Sequence, residues 1–270
     1  MHRIAVVLSA LLLSPVAVAA PRLLPEQIKR RYLSQKFTVD AEEVKFTLKT
    51  LQYKNLSRDK TRLAKEMAVK GKLLTLTNQA LKKEKAEIEA LVAPMKIRNN
   101  DPLFMHVFSG KGAPEQITAV LKLATKFRSK LGASWKDKGS LGESAKQFYW
   151  DFIGLDCSGF AGNYAKAVGS KQGPNSAILS FAPPAKRITK VADIKPGSLL
   201  VWKDNSHIAT INGKRKDGRW DIVESNGDPV VKGLGNTVWE FKDSGKEIRA
   251  EKIVKGKKTG ASKVFLARVN

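Results

Sequence analysis

Cysteine and histidine are scarce in this sequence, which limits the sites it can form. The chain of 270 residues has one cysteine, Cys157, and three histidines, His2, His106 and His207. A single cysteine excludes an internal disulfide. Zinc sites draw on clustered Cys and His ligands, and glycine-rich phosphate or dinucleotide motifs are also missing. We therefore expect no metal site and no cofactor.

Long apolar runs are absent after the first 19 residues. Arg3, the apolar stretch Ile4–Leu13 and the small residues Ala17 and Ala19 together predict a secretory signal peptide at residues 1–19. A buried N-terminal helix is the alternative. No later run reaches the roughly 18 apolar residues of a membrane helix. We expect an exported protein, periplasmic or extracellular, without a transmembrane segment.

Acidic residues are few beside basic ones. The chain has 25 Asp and Glu against 49 Lys and Arg, a formal net charge of +24. In an exported protein this excess favours an anionic partner, such as peptidoglycan or another envelope polymer. A solvated surface without a specific partner is the alternative. We expect no nucleic-acid partner, because no such motif is present and the lysines are spread along the chain.

Residues 20–100 read as a basic helical region. Asp40–Glu43 resembles a helix start, with apolar residues following at helical spacing. A seven-residue apolar repeat comprises Met67, Leu74, Leu81 and Ile88. The pattern predicts long amphipathic helices, an antiparallel pair turning near residues 55–59, rather than a sustained coiled coil. Docking on the rest of the chain, self-association and envelope contact all stay open for this region.

The remaining chain reads as a helix and linker at 101–145, followed by a domain at 146–270. Pro114 begins a helix, and residues 132–144 read as a loop. In the last part a helix around Cys157 precedes a series of strands. The predicted strands are Ser198–Trp202, His207–Asn212, Arg219–Asn226, Ile248–Val254 and Val264–Val269. One helix before an antiparallel sheet is an α+β pattern.

Cys157 lies where a helix is predicted to begin. Apolar residues continue at helical spacing from Phe160 to Val168, and Gly169 follows as a stop. Unpaired N–H groups and the helix dipole stabilise a thiolate in a first turn. An inert, buried core cysteine is the alternative.

A cysteine nucleophile needs a general base, usually a histidine. His2 leaves with the predicted signal peptide, and His106 lies in an apolar stretch typical of a packed residue. His207 starts a strand after a turn, where its imidazole can reach a cleft. Cys157 and His207 are therefore the candidate pair.

Three motifs in order resemble the NlpC-type cysteine peptidases. They are LDCSGF at residues 155–160, IKPGSLL at 194–200 and SHIA at 206–209. The related CHAP domains share this plan, and the resemblance covers about residues 146–240. It implies a reduced papain-like fold and hydrolysis of peptide or amide bonds in bacterial cell-wall peptidoglycan.

The resemblance also implies roles for individual residues. Cys157 matches the nucleophile and His207 the general base. Glu224 and Asn226 share one face of the strand that reads IVESN. They resemble the Glu-x-Asn pair of CHAP domains, so Glu224 would orient His207 and Asn226 would support the site. Which of the two orients the imidazole stays open.

Further residues match the surroundings of such a site. The backbone N–H of Cys157 would form part of an oxyanion hole, and Asp156 and Ser158 flank it as oxyanion or substrate-orienting residues. Tyr149 is the nearest match to a tyrosine that faces the site in the family. Ser198 departs from the family, which has an aspartate in the strand lead-in.

Two other functions fit the same sequence. A papain-fold acyltransferase would use the same cysteine and pass the acyl group to an amine or alcohol. A non-catalytic protein that binds the cell wall or another anionic polymer would keep Cys157 buried and unreactive. The rate at which Cys157 is alkylated separates the second alternative from an enzyme.

Overall fold

A computed structural model describes residues 23–54, 60–98, 102–227, 232–245 and 247–269. The predicted signal peptide and the predicted turn at 55–59 lie outside these residues. The described α-helices are α1 (Pro25–Leu33), α2 (Lys60–Lys83), α3 (Lys85–Val92), α4 (Leu103–Phe108), α5 (Pro114–Lys126), α6 (Arg128–Leu131), α7 (Leu141–Phe152) and α8 (Cys157–Ala167).

Most strands lie in the second half of the chain. They are β1 (Ser34–Val39), β2 (Glu42–Thr47), β3 (Arg187–Ile188), β4 (Leu199–Trp202), β5 (Ile208–Lys214), β6 (Trp220–Asn226), β7 (Gly233–Ser244), β8 (Glu247–Val254), β9 (Lys257–Ser262) and β10 (Val264–Ala267). The chain thus combines an N-terminal helical region with a C-terminal sheet, as the α+β pattern predicts.

The helix predicted from Asp40 is wrong, because this segment forms a hairpin. β1 and β2 pair antiparallel, with Val39 opposite Glu42. Asp40 and Ala41 both have positive φ, 52° and 64°, which a two-residue hairpin turn requires. Phe37, Val39, Val44 and Phe46 are buried at alternate positions. This two-residue period places all four on the core side of the hairpin.

The long helix α2 is confirmed, but its buried face is not the seven-residue repeat. The residues of α2 that are buried are Glu66, Val69, Leu73, Thr77 and Ala80. The repeat residues Met67, Leu74 and Leu81 are only partly buried and pack at the edge of the core. The buried face of the helix contains both polar and apolar residues, so the apolar positions alone did not identify that face.

The eight-stranded sheet has the order β3-β10-β4-β5-β6-β7-β8-β9, with antiparallel neighbours. Its two faces bury different cores. One face packs against the helices through Leu199, Val201, Ile208 and Val223. The other encloses a second core that includes Leu200, Ile222, Trp220, Trp239 and Phe241. β10 also approaches β8, so the sheet is strongly curled around this second core.

The five strands predicted beyond residue 198 are confirmed as β4, β5, β6, β8 and β10, with ends that differ by one or two residues. β7 was not predicted. It begins with Gly233 and Gly235, which indicate a turn, and only from Thr237 do buried and exposed residues alternate clearly. β9 was missed because it is rich in lysine and mostly exposed.

The predicted boundary between residues 145 and 146 falls inside α7. One core cluster extends from Ile28 in α1 to Val269, and so includes residues from all three predicted regions of the mature chain. The helix that was predicted from Pro114 is confirmed as α5, which lies within this core. The N-terminal region therefore packs as part of the same unit as the sheet.

Residues 51–54 run beside the loop that precedes Cys157. Leu155 donates its N–H to the carbonyl of Gln52 at 2.9 Å, and the N–H of Lys54 donates to the carbonyl of Leu155 at 3.2 Å. The N–H of Leu234, in β7, donates to the carbonyl of Leu51 at 2.8 Å. The segment therefore joins the cysteine loop to the sheet.

A buried ion pair anchors this segment to α2. The Lys54 and Glu66 side chains are in contact and are 2% and 3% exposed. Lys54 also donates to the carbonyl of Phe152 at 3.0 Å, and Arg62 donates to Glu66 at 2.8 Å. Burial lowers the pKa of Lys54 to about 8, although the Glu66 carboxylate opposes this shift. The pair retains its charge near neutral pH because both groups have partners.

We expect Lys54→Met to lower the free energy of unfolding by about 3 kcal/mol, because Glu66 then keeps only Arg62 as a partner for its buried charge. Lys85→Met is the matched control, since Lys85 contacts Glu89 in an exposed pair and its loss should change stability by about 1 kcal/mol or less. Urea denaturation of both variants measures the difference. Equal, small losses would contradict the anchoring role of Lys54.

Candidate active site

Cys157 is the first residue of α8, as the sequence predicts. Asp156 is the N-cap, and its carboxylate accepts the N–H of Gly159 and the hydroxyl of Ser158, the latter at 3.2 Å. The carbonyl of Asp156 accepts from Phe160. The N–H groups of Cys157 and Ser158 precede the first intrahelical bond. They are therefore the donors that an anion at this terminus would meet.

The start of α8 lies unusually close to a neighbouring loop. The N–H of Asp156 donates to the carbonyl of Gly110 at 3.1 Å. A Cβ atom on Gly159 would lie 1.9 Å from that same carbonyl oxygen. Only glycine fits at this position, so the Ser-Gly that follows the cysteine has a packing reason. The contact fixes where α8 begins.

Lys111 belongs to this loop and was missed by sequence reasoning. Its Nζ lies 2.7 Å from a carboxylate oxygen of Asp156 and also contacts the hydroxyl of Ser158. Burial raises the pKa of Asp156, although Lys111 and the bond from Gly159 oppose that shift. Asp156 and Ser158 are thus tied to each other and to Lys111 at the helix terminus. No spacing in the sequence links residue 111 to residue 156.

His207 comes directly before β5, and its imidazole is near enough to Cys157 for the thiol to raise the pKa of the ring. Its Nε2 lies 2.7 Å from Oε2 of Glu224. The ring packs edge-on against Trp202, with 4.7 Å between the centroids. Cys157 and His207 are 5% and 8% exposed. The structure therefore brings the predicted nucleophile and base together at a mostly dehydrated contact.

His207 and Glu224 shift each other's protonation. Burial opposes the charged imidazole, but the hydrogen bonds to Cys157 and Glu224 and the carboxylate charge outweigh it and raise the pKa of His207 to about 9. Burial likewise opposes the Glu224 carboxylate. The hydrogen bond and charge of His207, with support from Lys252 and Thr237, lower the pKa of Glu224 to about 2. At neutral pH the two form an imidazolium–carboxylate pair.

Glu224 has no exposed surface and is held by groups from three strands. Asn226 of its own strand donates to Oε2 at 3.1 Å, and Thr237 of β7 donates to Oε1 at 2.7 Å. Lys252 of β8 lies 3.4 Å from Oε1. Thr237 and Lys252 were also missed, because β7 was not predicted and neither residue belongs to a motif.

Glu224 is closer to the imidazole than Asn226 is. Asn226 Nδ2 lies 3.5 Å from Nε2 of His207, against 2.7 Å for the Glu224 oxygen. Asn226 ends β6 and is partly exposed, and the next residue, Gly227, approaches the ring of Tyr53. Glu224 is thus placed to orient His207, while Asn226 supports both groups from the solvent side.

The structure does not bring Tyr149 to this site. The side chain is completely buried in α7, its hydroxyl donates to the carbonyl of Tyr32 at 2.8 Å, and its ring packs against Phe46. Burial raises its pKa well above the usual value. A residue with no accessible surface offers nothing to a substrate, so the substrate-orienting role expected for Tyr149 is a correction: the residue packs the core.

His106 also lies apart from the Cys157–His207 contact. It is half-buried in α4, and its Nε2 lies 3.2 Å from the amide of Asn175. Both line a surface groove of about 740 Å³, whose wall includes Asn163 and Lys166 from the later turns of α8. Neither Cys157 nor His207 lines this groove. This groove is therefore separate from the candidate active site.

Neither a metal-ligand cluster nor a membrane-spanning helix occurs in the part of the chain that the structure describes. There, no group of three or more His, Cys, Asp or Glu residues is placed to hold a metal ion. Within the same ranges, no helix combines the length and apolar character needed to cross a bilayer.

Comparison with known proteins identifies no relative. No family model, no curated protein and no solved structure matches this chain.

The His207–Glu224 pair predicts how stability depends on pH. The raised pKa of His207 contributes stability that is complete below its ordinary value of 6.5 and is lost as pH rises through about 9. Between pH 6.5 and 9 the wild type should lose on the order of 1–3 kcal/mol of unfolding free energy relative to His207→Gln, which lacks the titrating ring. Urea denaturation at several pH values measures this. Parallel pH profiles for the two proteins would contradict it.

Proposed function

We propose that this protein is an exported cysteine hydrolase that cleaves peptide or amide bonds of bacterial cell-wall peptidoglycan. The observation that carries the proposal is the chain of contacts from Cys157 through His207 to Glu224, with the cysteine at a helix N-terminus. Nucleophile, base and orienting acid are the parts that acyl transfer to a cysteine requires. The order of motifs around them supports an NlpC-type or CHAP-like, reduced papain-like fold.

Acylation follows from this arrangement. The Cys157 thiolate, paired with the His207 imidazolium, attacks the carbonyl carbon of the scissile amide. The oxyanion that forms is met by the backbone N–H groups at the start of α8. His207 then gives its proton to the amide nitrogen, and the C–N bond breaks to release the amine. The acyl group remains on Cys157 as a thioester.

Deacylation reverses the proton transfers. Neutral His207 takes a proton from water, and the hydroxide that forms attacks the thioester carbon. The C–S bond breaks, the carboxylic acid leaves, and the thiolate–imidazolium pair is restored. Glu224 keeps the imidazole oriented and stabilises its charged form in both steps. Asn226 is the second contact that limits rotation of the ring.

The proposed substrate class is inferred from the sequence motifs, the predicted signal peptide and the net charge, and not from the geometry of the site. The resemblance at residues 155–160, 194–200 and 206–209 favours the cell wall. The predicted signal peptide places the protein with that polymer, and the charge of +24 suits an anionic envelope. A basic surface raises the local concentration of a polyanionic substrate.

Purified peptidoglycan digested with the mature protein tests the proposal. The wild type should release fragments that mass spectrometry identifies, whereas Cys157→Ala should lose activity by on the order of 10³-fold or more, because Cys157 is the only cysteine in the chain. Glu224→Gln should keep the fold, but its hydrolytic activity should fall by about 10²–10⁴-fold, since the imidazole loses its charged partner. Equal release by wild type and Cys157→Ala would overturn the cysteine mechanism.

The same digestion separates the two other candidates. Release that appears only when an amine is added, with the amine joined to the product, identifies an acyltransferase. Tight sedimentation with the wall material without any release, together with a slowly alkylated Cys157, identifies a binding protein. Either result would replace the hydrolase proposal.

A further inference from the structure

Glu224 is a carboxylate with two different tasks for its two oxygens. Oε2 faces His207 at 2.7 Å and Asn226 at 3.1 Å. Oε1 faces away from them, toward Thr237 at 2.7 Å and Lys252 at 3.4 Å. These four polar residues contact Glu224 from the position before β5 and from β6, β7 and β8.

We propose that Thr237 and Lys252 are positioning residues, which hold the Glu224 carboxylate ionised and oriented so that it can serve His207. This inference rests on the proposed function, because it gives the two residues a role in the same catalytic pair. Both residues contact the Glu224 carboxylate, Thr237 at 2.7 Å and Lys252 at 3.4 Å. Their effect on the chemistry passes through Glu224.

Burial explains why such support is needed. A carboxylate without solvent access is stable in its charged form only if both oxygens have partners. His207 and Asn226 occupy Oε2. Without donors on Oε1, the carboxylate could take up a proton or rotate, and either change would weaken its contact with the imidazole. Thr237 and Lys252 contact Oε1 and so disfavour both the protonation and the rotation of the carboxylate.

Thr237 has a fixed direction of donation. The indole Nε1 of Trp239 donates to Thr237 Oγ1 at 3.1 Å, so the hydroxyl proton is free to point at Glu224. Thr237 and Trp239 are two residues apart and lie on one face of β7. Trp239 is almost fully buried. The hydroxyl is therefore a preset donor rather than a rotating one.

Lys252 adds a positive charge to the same oxygen. It pairs across the sheet with Trp239, and its side chain is 11% exposed. A lysine that buries most of its length over β7 gives up hydration, and the contact with the Glu224 charge offsets that loss. Both cations that face Glu224, Lys252 and protonated His207, stabilise the carboxylate from opposite sides.

The support of Glu224 by Thr237 and Lys252 should affect the reactivity of Cys157 at acidic pH. Glu224 keeps its charge down to low pH because its donors stabilise the carboxylate, and that charge in turn stabilises the protonated His207 beside Cys157. Removing a donor raises the pH at which Glu224 takes up a proton. The reactivity of Cys157 should then fall at a higher pH than in the wild type.

The test is the rate at which iodoacetamide alkylates Cys157 in the mature protein between pH 3 and 8, which requires no substrate. In Lys252→Met and Thr237→Val the acid limb of the profile should move up by about one pH unit. Thr237→Ser and Lys252→Arg keep a donor and should restore most of the wild-type profile. Lys242→Met removes an exposed lysine of β7 that contacts Glu240, and it should leave the limb unchanged.

An acid limb at the same pH in wild type, Lys252→Met and Thr237→Val would overturn the inference. An equal shift in Lys242→Met would also overturn it, because general loss of positive charge would then suffice. If Lys252→Met does not fold, as judged by thermal unfolding, the comparison of Thr237→Val with Thr237→Ser decides. Shifted limbs without any hydrolysis of peptidoglycan would refute the proposed function and leave the positioning roles standing.

Discussion

The buried charge of Glu224 is the constraint on which the arrangement of this site depends. A carboxylate with no exposed surface must be surrounded by donors, and here they come from β6, β7, β8 and the residue that precedes β5. Strand order and register therefore have to be right before the charge can be buried. The curled sheet supplies that geometry, and α8 packs against β5 and β6 with Cys157 at its first residue. Reactivity at the helix terminus is thus coupled to correct pairing of strands that carry no catalytic group.

The sequence predicts those parts of the fold whose buried faces are apolar and regular. α5 and α8 and the five predicted strands follow from such patterns, with turn residues at their ends. The hairpin from Ser34 to Thr47 was mistaken for a helix, because acidic residues at a turn resemble an N-terminal cap. β7 was not predicted, because its glycines are typical of a loop. In both cases pairing with a neighbouring strand overrides the local signal.

The residues of the candidate site likewise fall into those that the sequence predicts and those that it does not. Cys157, His207, Glu224 and Asn226 could be selected because they lie in motifs, and the structure brings them within contact of one another. Lys111, Thr237 and Lys252 could not, since each reaches the site from a loop or strand whose place depends on the whole fold. Tyr149 is the opposite case, a residue that the sequence selected but that does not lie at the site. An aromatic residue near a motif carries no information on whether it faces a cleft or the core.

The position of β10 bears on how the chain is made. β10 lies between β3 and β4, although residues 264–267 come some 60 residues after β4 in the chain. A ribosome releases the N-terminal side first, so β3 and β4 wait with unpaired edges until this late segment emerges. Folding of the sheet is therefore largely post-translational, and the nascent chain has a period in which it needs protection from aggregation.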